Sequence, residues 1–328
     1  MILIVGPGAV GTILATHLAA AGQKISLLIR DKDAARFQRA PQLQVDRVDG
    51  RAPLIAPKPP LTSKLALEGV DNLFLCVKFP DLDPLLDALP PLPPNLTIVS
   101  TLNGIAAIRR IRERFPNQKS VCMTVMFNGQ MLEPLHAQIT TKAQVLIGSD
   151  DVRLLGAFGD SGMDVVRAAG ESAAWGKLLI NLANAVCALT HTTFRDLLTQ
   201  RDLRAVYTAV LDEAVGAIEA AGIPYQLPMP IPYSLYRKIL LHGGPLPWWF
   251  ARAKNGLQDG AYPSMVADIE TGRRTEIAQL NGEIVMLGEK SGRATPVNAT
   301  IVSLIRAIEG RGRPEPMTPA ALRKAIGA

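Results

Sequence analysis

Residues 2–11 read ILIVGPGAVG. This stretch joins a short apolar run, Ile2 to Val5, to three closely spaced glycines. An Ala- and Leu-rich segment follows from Thr12 to Ala21 and stops at Gly22. Runs of Ile and Val favour a strand, and an Ala- and Leu-rich run that ends at glycine is typical of a helix. The sequence therefore predicts a strand, a tight glycine turn and a helix.

Further apolar runs recur along the first half of the chain, with room between them for crossover helices. They lie at Lys24 to Ile29, Leu73 to Val77, Leu96 to Ser100 and Val121 to Phe127. This alternation predicts an α/β fold with an N-terminal Rossmann-type, doubly wound parallel sheet. The runs His136 to Thr141 and Ala143 to Ile147 have almost nothing between them, so we expect an antiparallel hairpin that completes the sheet.

From about Glu171 the chain changes to long apolar segments of helical period, which predicts a C-terminal all-helical domain. We place the N-terminal domain at residues 1–165, the helical domain at 166–310 and a C-terminal tail with a short last helix at 311–328. Ile223 to Tyr262 is rich in Pro, Gly and aromatic residues. We expect an irregular excursion or a bent helix there.

The composition argues against several classes of protein. Hydrophobic residues make up 48% and charged residues 20% of the chain, which is typical of globular proteins. The apolar runs stay below the roughly 20 residues of a membrane span, and Met1 to Val5 lacks the basic start of a signal peptide. We therefore expect a cytoplasmic protein without a membrane partner.

The charged residues and the cysteines point to an anionic small molecule rather than to a nucleic acid or a metal. The net charge is +6, but Lys and Arg are spread along the chain, unlike the clusters of a nucleic-acid surface. The three cysteines are scattered, and the sequence contains no pattern of metal ligands. A phosphate-rich cofactor would satisfy this charge.

The glycine turn is the first candidate site. It consists of Gly6, Pro7, Gly8, Ala9, Val10 and Gly11. Gly6 can make the tight turn, Gly8 can let a pyrophosphate approach the backbone, and Gly11 can let the helix pack on the strand. This pattern at a strand-to-helix junction predicts dinucleotide binding.

Residues after other predicted strands extend this site. Arg30 follows the second strand, and its guanidinium suits the 2′-phosphate of NADP; Asp31 comes next and would instead suit the ribose of NAD if the strand ends one residue later. Lys78 and Asn103 follow two further strands and also fit a dinucleotide. Each of these two could instead be an ordinary loop residue.

Polar side chains form a stripe on an otherwise apolar helix from Trp175 to Leu189. Lys177, Asn181 and Asn184 recur at spacings of four and three, so they share one face. Burying a lysine and two amides is costly unless they are paired or line a wet cavity. The stripe therefore predicts a pocket, or else hydrogen bonds to a neighbouring loop.

A second helical stripe is predicted from Ser264 to Gly288, and Glu276 interrupts its apolar face. A carboxylate there needs a partner, which could be Lys177, a substrate hydroxyl, or the flanking Arg273 or Arg274. A lysine next to a carboxylate can donate a hydrogen bond and then a proton to a carbonyl oxygen as hydride reaches the carbon. These residues favour carbonyl reduction.

The chain resembles the ketopantoate reductase family, whose members reduce 2-dehydropantoate to pantoate with NADPH. The resemblance is carried by the glycine turn and by several short motifs. These are Val77-Lys78, Leu102-Asn103-Gly104, Trp175-Gly176-Lys177 with Asn181, Ser264 to Asp268, Gly272 to Ile277, Asn281-Gly282 and Pro296 to Asn298.

The resemblance implies a role for each candidate residue. Lys177 would be the general acid, Glu276 would hold the lysine and the ligand, and Asn103 would lie by the nicotinamide and the substrate. Asn181 and Ser264 would bind substrate, and we add Asn184 from its place on the same face. Arg30 and Lys78 would flank the cofactor.

Three other functions stay open beside ketopantoate reduction. Position 185 is Ala where the family commonly has a second amide, and Phe194 stands where it tends to have Asn. A reductase of another small 2-oxo acid and an opine-type dehydrogenase are therefore alternatives, as is a non-catalytic NADP-binding sensor. We expect a small 2-oxo acid as substrate and a homodimer as the assembly.

Overall fold

The computed structural model describes residues 1–48, 50–229, 231–255, 259–312 and 314–328, without the side chains of residues 254 and 255. The protein divides into two compact units, Met1–Glu171 and Ser172–Ala328. The domain boundary that we predicted at residue 165 lies inside a strand of unit 1. Residues 230 and 256–258 of the predicted irregular segment, and residue 313 of the predicted tail, lie outside the described residues.

Unit 1 contains two sheets. Its strands are β1 (Ile2–Val5), β2 (Ile25–Leu28), β3 (Gln42–Arg47), β4 (Leu54–Pro57), β5 (Leu61–Thr62), β6 (Asn72–Leu75), β7 (Thr97–Ser100), β8 (Lys119–Val125), β9 (Gly129–Glu133), β10 (His136–Ile139), β11 (Gln144–Ile147) and β12 (Asp164–Arg167). The main sheet has eight strands in the order β12-β11-β8-β7-β6-β1-β2-β5, and the second sheet has the order β4-β3-β10-β9.

The helices of unit 1 cover both faces of the main sheet. They are α1 (Ala9–Ala20), α2 (Ala34–Gln38), α3 (Leu82–Ala88), α4 (Ala106–Arg114) and α5 (Val152–Leu155). Alternate residues of β1 point to opposite faces: Ile2 and Ile4 join one apolar cluster with α1, whereas Leu3 and Val5 join another with α3 and α4. Strands that are buried on both faces are the mark of a doubly wound sheet, and the predicted fold class is confirmed.

The second sheet corrects one prediction. The runs at 136–141 and 143–147 do not form a hairpin with each other. Strand β10 pairs with β9 and with β3, while β11 lies in the main sheet, antiparallel to β8 and parallel to β12. The turn into β10 comes instead at Leu135, which has a positive φ of 59°.

Helix α1 lies between the two sheets. It contacts β1 and β2 of the main sheet and all four strands of the second sheet. Residues Gly11 to Leu18 of α1 are therefore buried without interruption. Contact with both sheets explains why this helix carries no Asp, Glu, Lys or Arg.

Unit 2 is helical. Its helices are α6 (Ser172–Asn181), α7 (Ala183–Thr190), α8 (Phe194–Thr199), α9 (Arg201–Ala220), α10 (Tyr233–His242), α11 (Leu246–Asn255), α12 (Ser264–Glu270), α13 (Asn281–Ser291), α14 (Pro296–Ile308) and α15 (Pro319–Ala325). The span Ser172–Thr190 is long and apolar enough to cross a membrane by length and composition, and 78% of its most apolar window is buried inside the protein. That burial is typical of a core helix.

Two of the predicted long helices are divided in the structure. The helix predicted from Trp175 to Leu189 is interrupted at Leu182. The helix predicted from Ser264 to Gly288 was wrong: α12 ends at Glu270, where Gly272 adopts a φ of +66°, and α13 begins only at Asn281. Glu276 thus lies in a connection and not on a helical stripe.

Candidate functional site

The candidate cofactor site of unit 1 lies at one edge of the main sheet. Strands β2, β1, β6 and β7 are neighbours and run parallel. Val5 is in register with Leu28 and with Leu75, and Leu75 is in register with Ser100. The loops after all four strands therefore leave from the same edge, where ligands of doubly wound sheets bind.

The predicted cofactor residues lie on these four loops and in the first turn of α1. The glycine turn follows β1, Arg30 follows β2, Lys78 follows β6 and Asn103 follows β7. Arg30 and Lys78 are exposed, and Asn103 is half-buried. The structure thus collects the residues at one sheet edge, while their contacts with a cofactor remain a prediction.

Two of the three glycines of the turn are required by the protein's own structure, and the third is not. Gly6 has a φ of +86°, and a Cβ there would lie 2.9 Å from the carbonyl oxygen of Cys76. A Cβ on Gly11 would lie 2.3 Å from the carbonyl oxygen of Gly6. A Cβ on Gly8 would meet no atom within 4 Å, so the protein's own packing does not require a glycine at this position.

Gly8 also caps α1. Its carbonyl oxygen accepts the first helical hydrogen bond from the Thr12 N–H at 2.8 Å, and no side chain caps this helix end. The first N–H groups of an α-helix lack intrahelical partners and carry positive potential, which suits a phosphate. Open space at Gly8 beside such a helix end fits the pyrophosphate of a dinucleotide.

Arg30 and Asp31 are both available for a ribose or its phosphate. Arg30 has a side chain that is 70% exposed, and its Nε lies 3.4 Å from Asp33 Oδ2. Asp31 is exposed and begins the 3₁₀ turn Asp31–Asp33. Strand β2 ends at Leu28, so Arg30 comes two residues after the strand and Asp31 three.

In unit 2, the polar stripe of α6 and α7 reaches the surface together with Ile180, while the rest of this helix pair is buried. Lys177, Ile180, Asn181 and Asn184 are half-buried, and every other residue from Ser172 to Thr190 is buried. The interruption at Leu182 does not rotate the stripe out of line, because Leu182 keeps helical dihedral angles and its N–H still bonds to the Leu178 carbonyl. Lys177, Asn181 and Asn184 therefore share one accessible face.

Two residues that support this face were missed by the sequence analysis. A Cβ on Gly176 would lie 1.7 Å from the carbonyl oxygen of Gln226, so only glycine lets this loop pass beside Lys177. The buried Tyr207 hydroxyl donates a hydrogen bond to the Ile180 carbonyl oxygen at 3.4 Å. The signal for Gly176 was its place between Trp175 and Lys177. Tyr207 lies among the buried residues of the amphipathic helix α9, where the sequence gives no such signal.

Ser264 and Glu276 lie on separate elements. Ser264 is exposed at the first turn of α12, and α12 packs against α7, which carries Asn184. Glu276 is half-buried and immediately precedes the 3₁₀ turn Ile277–Gln279. Of its two flanking arginines, Arg273 forms an ion pair with Asp268, with Nε 3.1 Å from Oδ1.

Two cysteines and a histidine have pKa values that burial shifts toward the neutral form. Desolvation raises the pKa of the Cys76 thiol and of the Cys187 thiol to about 12. Burial lowers the pKa of His17 to about 4, helped by the positive charge of Arg47. The Nδ1 atom of His17 lies 3.1 Å from the Ser161 carbonyl oxygen, so this histidine joins α1 to a turn instead of serving a site.

Comparisons with known proteins identify the family of both units. The family model described as ketopantoate reductase PanE/ApbA matches residues 2–151, and the model of its C-terminal domain matches residues 171–309. The chain belongs to the ketopantoate reductase family. It is therefore an oxidoreductase that acts on a CH–OH group with a nicotinamide dinucleotide.

Individual ketopantoate reductases are similar along almost the whole chain. A 2-dehydropantoate 2-reductase from Vibrio cholerae is 28% identical over 334 residues, which cover 94% of this chain and 97% of that protein. The crystal structure of a PanE/ApbA family ketopantoate reductase from Ralstonia eutropha JMP134 has a TM-score of 0.77 at 25% identity. The match covers 95% of this chain and 99% of that one.

The same fold also occurs in a D-mandelate dehydrogenase. A D-mandelate dehydrogenase in complex with NADH and anilino(oxo)acetate has a TM-score of 0.76 at 20% identity, and the match covers 95% of this chain and 99% of that one. At this identity the likeness concerns the fold alone.

Proposed function

We propose that this ketopantoate reductase family member reduces 2-dehydropantoate to pantoate with NADPH. The observation that carries the proposal is the accessible polar face of α6 and α7, where Lys177, Asn181 and Asn184 are half-buried on helices that are otherwise buried except at Ile180. An ammonium group beside two amides can bind and polarise an oxo acid. The sequence similarity to 2-dehydropantoate 2-reductases supports this substrate.

Lys177 is the proposed general acid. When bound, a reduced nicotinamide would supply a hydride for the carbonyl carbon. As the C=O bond becomes a single bond, Lys177 Nζ donates its proton to the oxygen, and the neutral amine then takes a proton from water. In this proposal the polar groups of the substrate are held by Asn181, Asn184 and Ser264. Asn103 contacts the nicotinamide and the substrate. Glu276 orients the lysine and the substrate hydroxyl.

The preference for NADP is proposed from Arg30. Its exposed guanidinium follows β2 at the sheet edge and suits a 2′-phosphate, while Lys78 adds positive charge from the loop after β6. Arg30→Ala should weaken NADPH binding far more than NADH binding. Equal losses for the two cofactors would instead favour Asp31 as the residue that reads the ribose.

Steady-state kinetics with ketopantoate and each cofactor test the function directly. Lys177→Ala should lower kcat about a hundredfold or more while the affinity for NADPH stays near the wild-type value. A wild-type kcat in this variant would remove Lys177 from the mechanism. Cofactor binding without turnover of any oxo acid would favour a sensor.

A panel of oxo acids, with and without amines, separates the related enzymes. Ala185 is fully buried and has no amide. The second amide on the accessible face is that of Asn184. We expect ketopantoate to give the highest kcat/KM. A larger value with another 2-oxo acid, or only with an added amine, would contradict this substrate.

We also expect a homodimer, which light scattering after gel filtration would test.

A further inference from the structure

The segment that carries Glu276 is held on one side by a carboxylate at the end of α14. Glu309 Oε1 accepts hydrogen bonds from the Thr275 N–H, at 2.8 Å, and from the Thr275 hydroxyl, at 2.5 Å. The same hydroxyl accepts the Ile277 N–H at 3.2 Å. Both neighbours of Glu276 in the sequence are thus tied to Glu309 through one threonine side chain.

The other side of the segment is held at the beginning of α14. The Asn281 amide Nδ2 donates to Asn298 Oδ1 at 3.0 Å, and both side chains are fully buried. Asn298 is itself fixed, because its Nδ2 and its backbone N–H donate to Glu213 Oε2 at 2.8 Å and 2.7 Å. Helix α14 therefore contacts the chain on both sides of Glu276, at Thr275 one residue before it and at Asn281 five residues after it.

The position of Glu309 is unfavourable for the helix itself. Glu309 is the C-cap of α14, where the carbonyl groups carry negative potential and an acidic side chain is destabilising. Glu213, in contrast, belongs to α9, and its carboxylate accepts the N–H groups of Val297 and Asn298 at the N-terminus of α14, where a negative charge is favourable. Helix stability therefore does not explain a glutamate at position 309, whereas its two hydrogen bonds with Thr275 do.

We propose that Glu309 and Thr275 are positioning residues that fix the backbone at Glu276. The Glu276 carbonyl oxygen accepts the N–H groups of Gln279 and Leu280, so a rigid 3₁₀ turn continues on the side away from Thr275. With residues 275 and 277 tied to Glu309, the carboxylate of Glu276 leaves the backbone in one direction. The inference rests on the proposed role of Glu276 in ketopantoate reduction.

Thr275→Val tests the inference in the full-length enzyme. This change keeps the size of the side chain and removes both hydrogen bonds of the hydroxyl, so kcat for ketopantoate should fall about tenfold or more while the KM for NADPH stays within about twofold. Thr275→Ser restores the hydroxyl and should restore kcat. Thr271→Val is the matched control, because the Thr271 hydroxyl bonds back to the Ala267 carbonyl within α12.

Two further variants approach the same contact from α14. Glu309→Ala removes the acceptor and should reproduce the loss in kcat. Glu309→Gln keeps an oxygen that can accept from Thr275 and should lose less. These changes lie on another element, so a folding defect of Thr275→Val would leave the contact testable.

A double-mutant cycle with Glu276→Gln decides whether the effect passes through Glu276. If it does, Thr275→Val should add no further loss in the Glu276→Gln background. Additive losses, or a wild-type kcat in Thr275→Val and Glu309→Ala while Glu276→Gln is impaired, would overturn the positioning role. A wild-type kcat in Glu276→Gln would instead overturn the proposed function of Glu276, which is a different and distinguishable result.

Discussion

Alanine substitutions at Gly8 and Gly11 should separate cofactor binding from stability within a single turn. At Gly8 the backbone is extended, with a φ of −73°, and a Cβ meets no atom within 4 Å. At Gly11 a Cβ would lie 2.3 Å from the Gly6 carbonyl oxygen, about 1 Å closer than contact allows. One position is open to ligand, and the other is closed by the protein.

The magnitudes follow from these two environments. Gly8→Ala costs roughly 0.5–1 kcal/mol as a poorer N-cap and regains a similar amount from the less flexible unfolded chain, so the melting temperature should stay within about 2 °C. Gly11→Ala forces backbone apart at a cost of about 3 kcal/mol, offset by about 1 kcal/mol of helix propensity. In a unit of this size the net loss lowers the melting temperature by roughly 4–8 °C.

The cofactor affinities should rank in the opposite sense. The Gly8→Ala methyl group stands where a pyrophosphate approaches α1, so the Kd for NADPH should rise roughly tenfold to a hundredfold, or about 1.4–2.7 kcal/mol. Fluorescence titration with NADPH and thermal unfolding without cofactor measure the two effects. Wild-type affinity in Gly8→Ala, or a melting temperature as low as that of Gly11→Ala, would refute the reasoning.

Three other substitutions test groups in the interior. The pKa of His17 is about 4 in the folded protein and 6.5 in the unfolded chain, so protonation between these values favours the unfolded chain. The free energy of unfolding measured in urea should therefore be about 2 kcal/mol lower at pH 5 than at pH 7.5. His17→Gln should remove this difference. Arg204 is 7% exposed and donates to carbonyl oxygens at the ends of α8 and α10, so Arg204→Met should lower the free energy of unfolding by about 3 kcal/mol. Gly176→Ala places a methyl 1.7 Å from the Gln226 carbonyl oxygen, and both kcat and the melting temperature should fall.

The N-terminal half of the fold could be predicted because its signals are local. A strand, a glycine turn and a helix occupy adjacent residues from Ile2 to Ala20, and parallel strands bring their following loops to one edge regardless of the exact boundaries. That is why Arg30, Lys78 and Asn103 could be assigned to one edge. Helix α1 nonetheless begins at Ala9, three residues before the predicted start.

The second sheet could not be predicted because its pairing is not local. Strand β10 runs parallel to β3, and His136 is in register with Gln44, 92 residues earlier. Short strands close in sequence suggest a hairpin, but β10 and β11 belong to different sheets. Nothing in the spacing of these runs distinguishes a hairpin from two strands that diverge.

The two helical stripes of unit 2 show when periodicity can assign a face. From Lys177 to Asn184 the chain keeps helical dihedral angles through Leu182, so the angular relation between the residues survives the interruption and the predicted face is real. From Ser264 to Glu276 it passes through Gly272 at a φ of +66°, which reverses the handedness and cancels that relation.

The loss of helix at Gly272 has a consequence for Glu276. A side chain on a helix is oriented by the hydrogen bonds of its own turn, whereas one in a connection depends on contacts from elsewhere. Thr275 and Asn281 receive those contacts from the two ends of α14. If Glu276 orients the substrate, then α14 orients Glu276 as helix α6 orients Lys177. Glu309→Ala should therefore lower kcat while the melting temperature changes little.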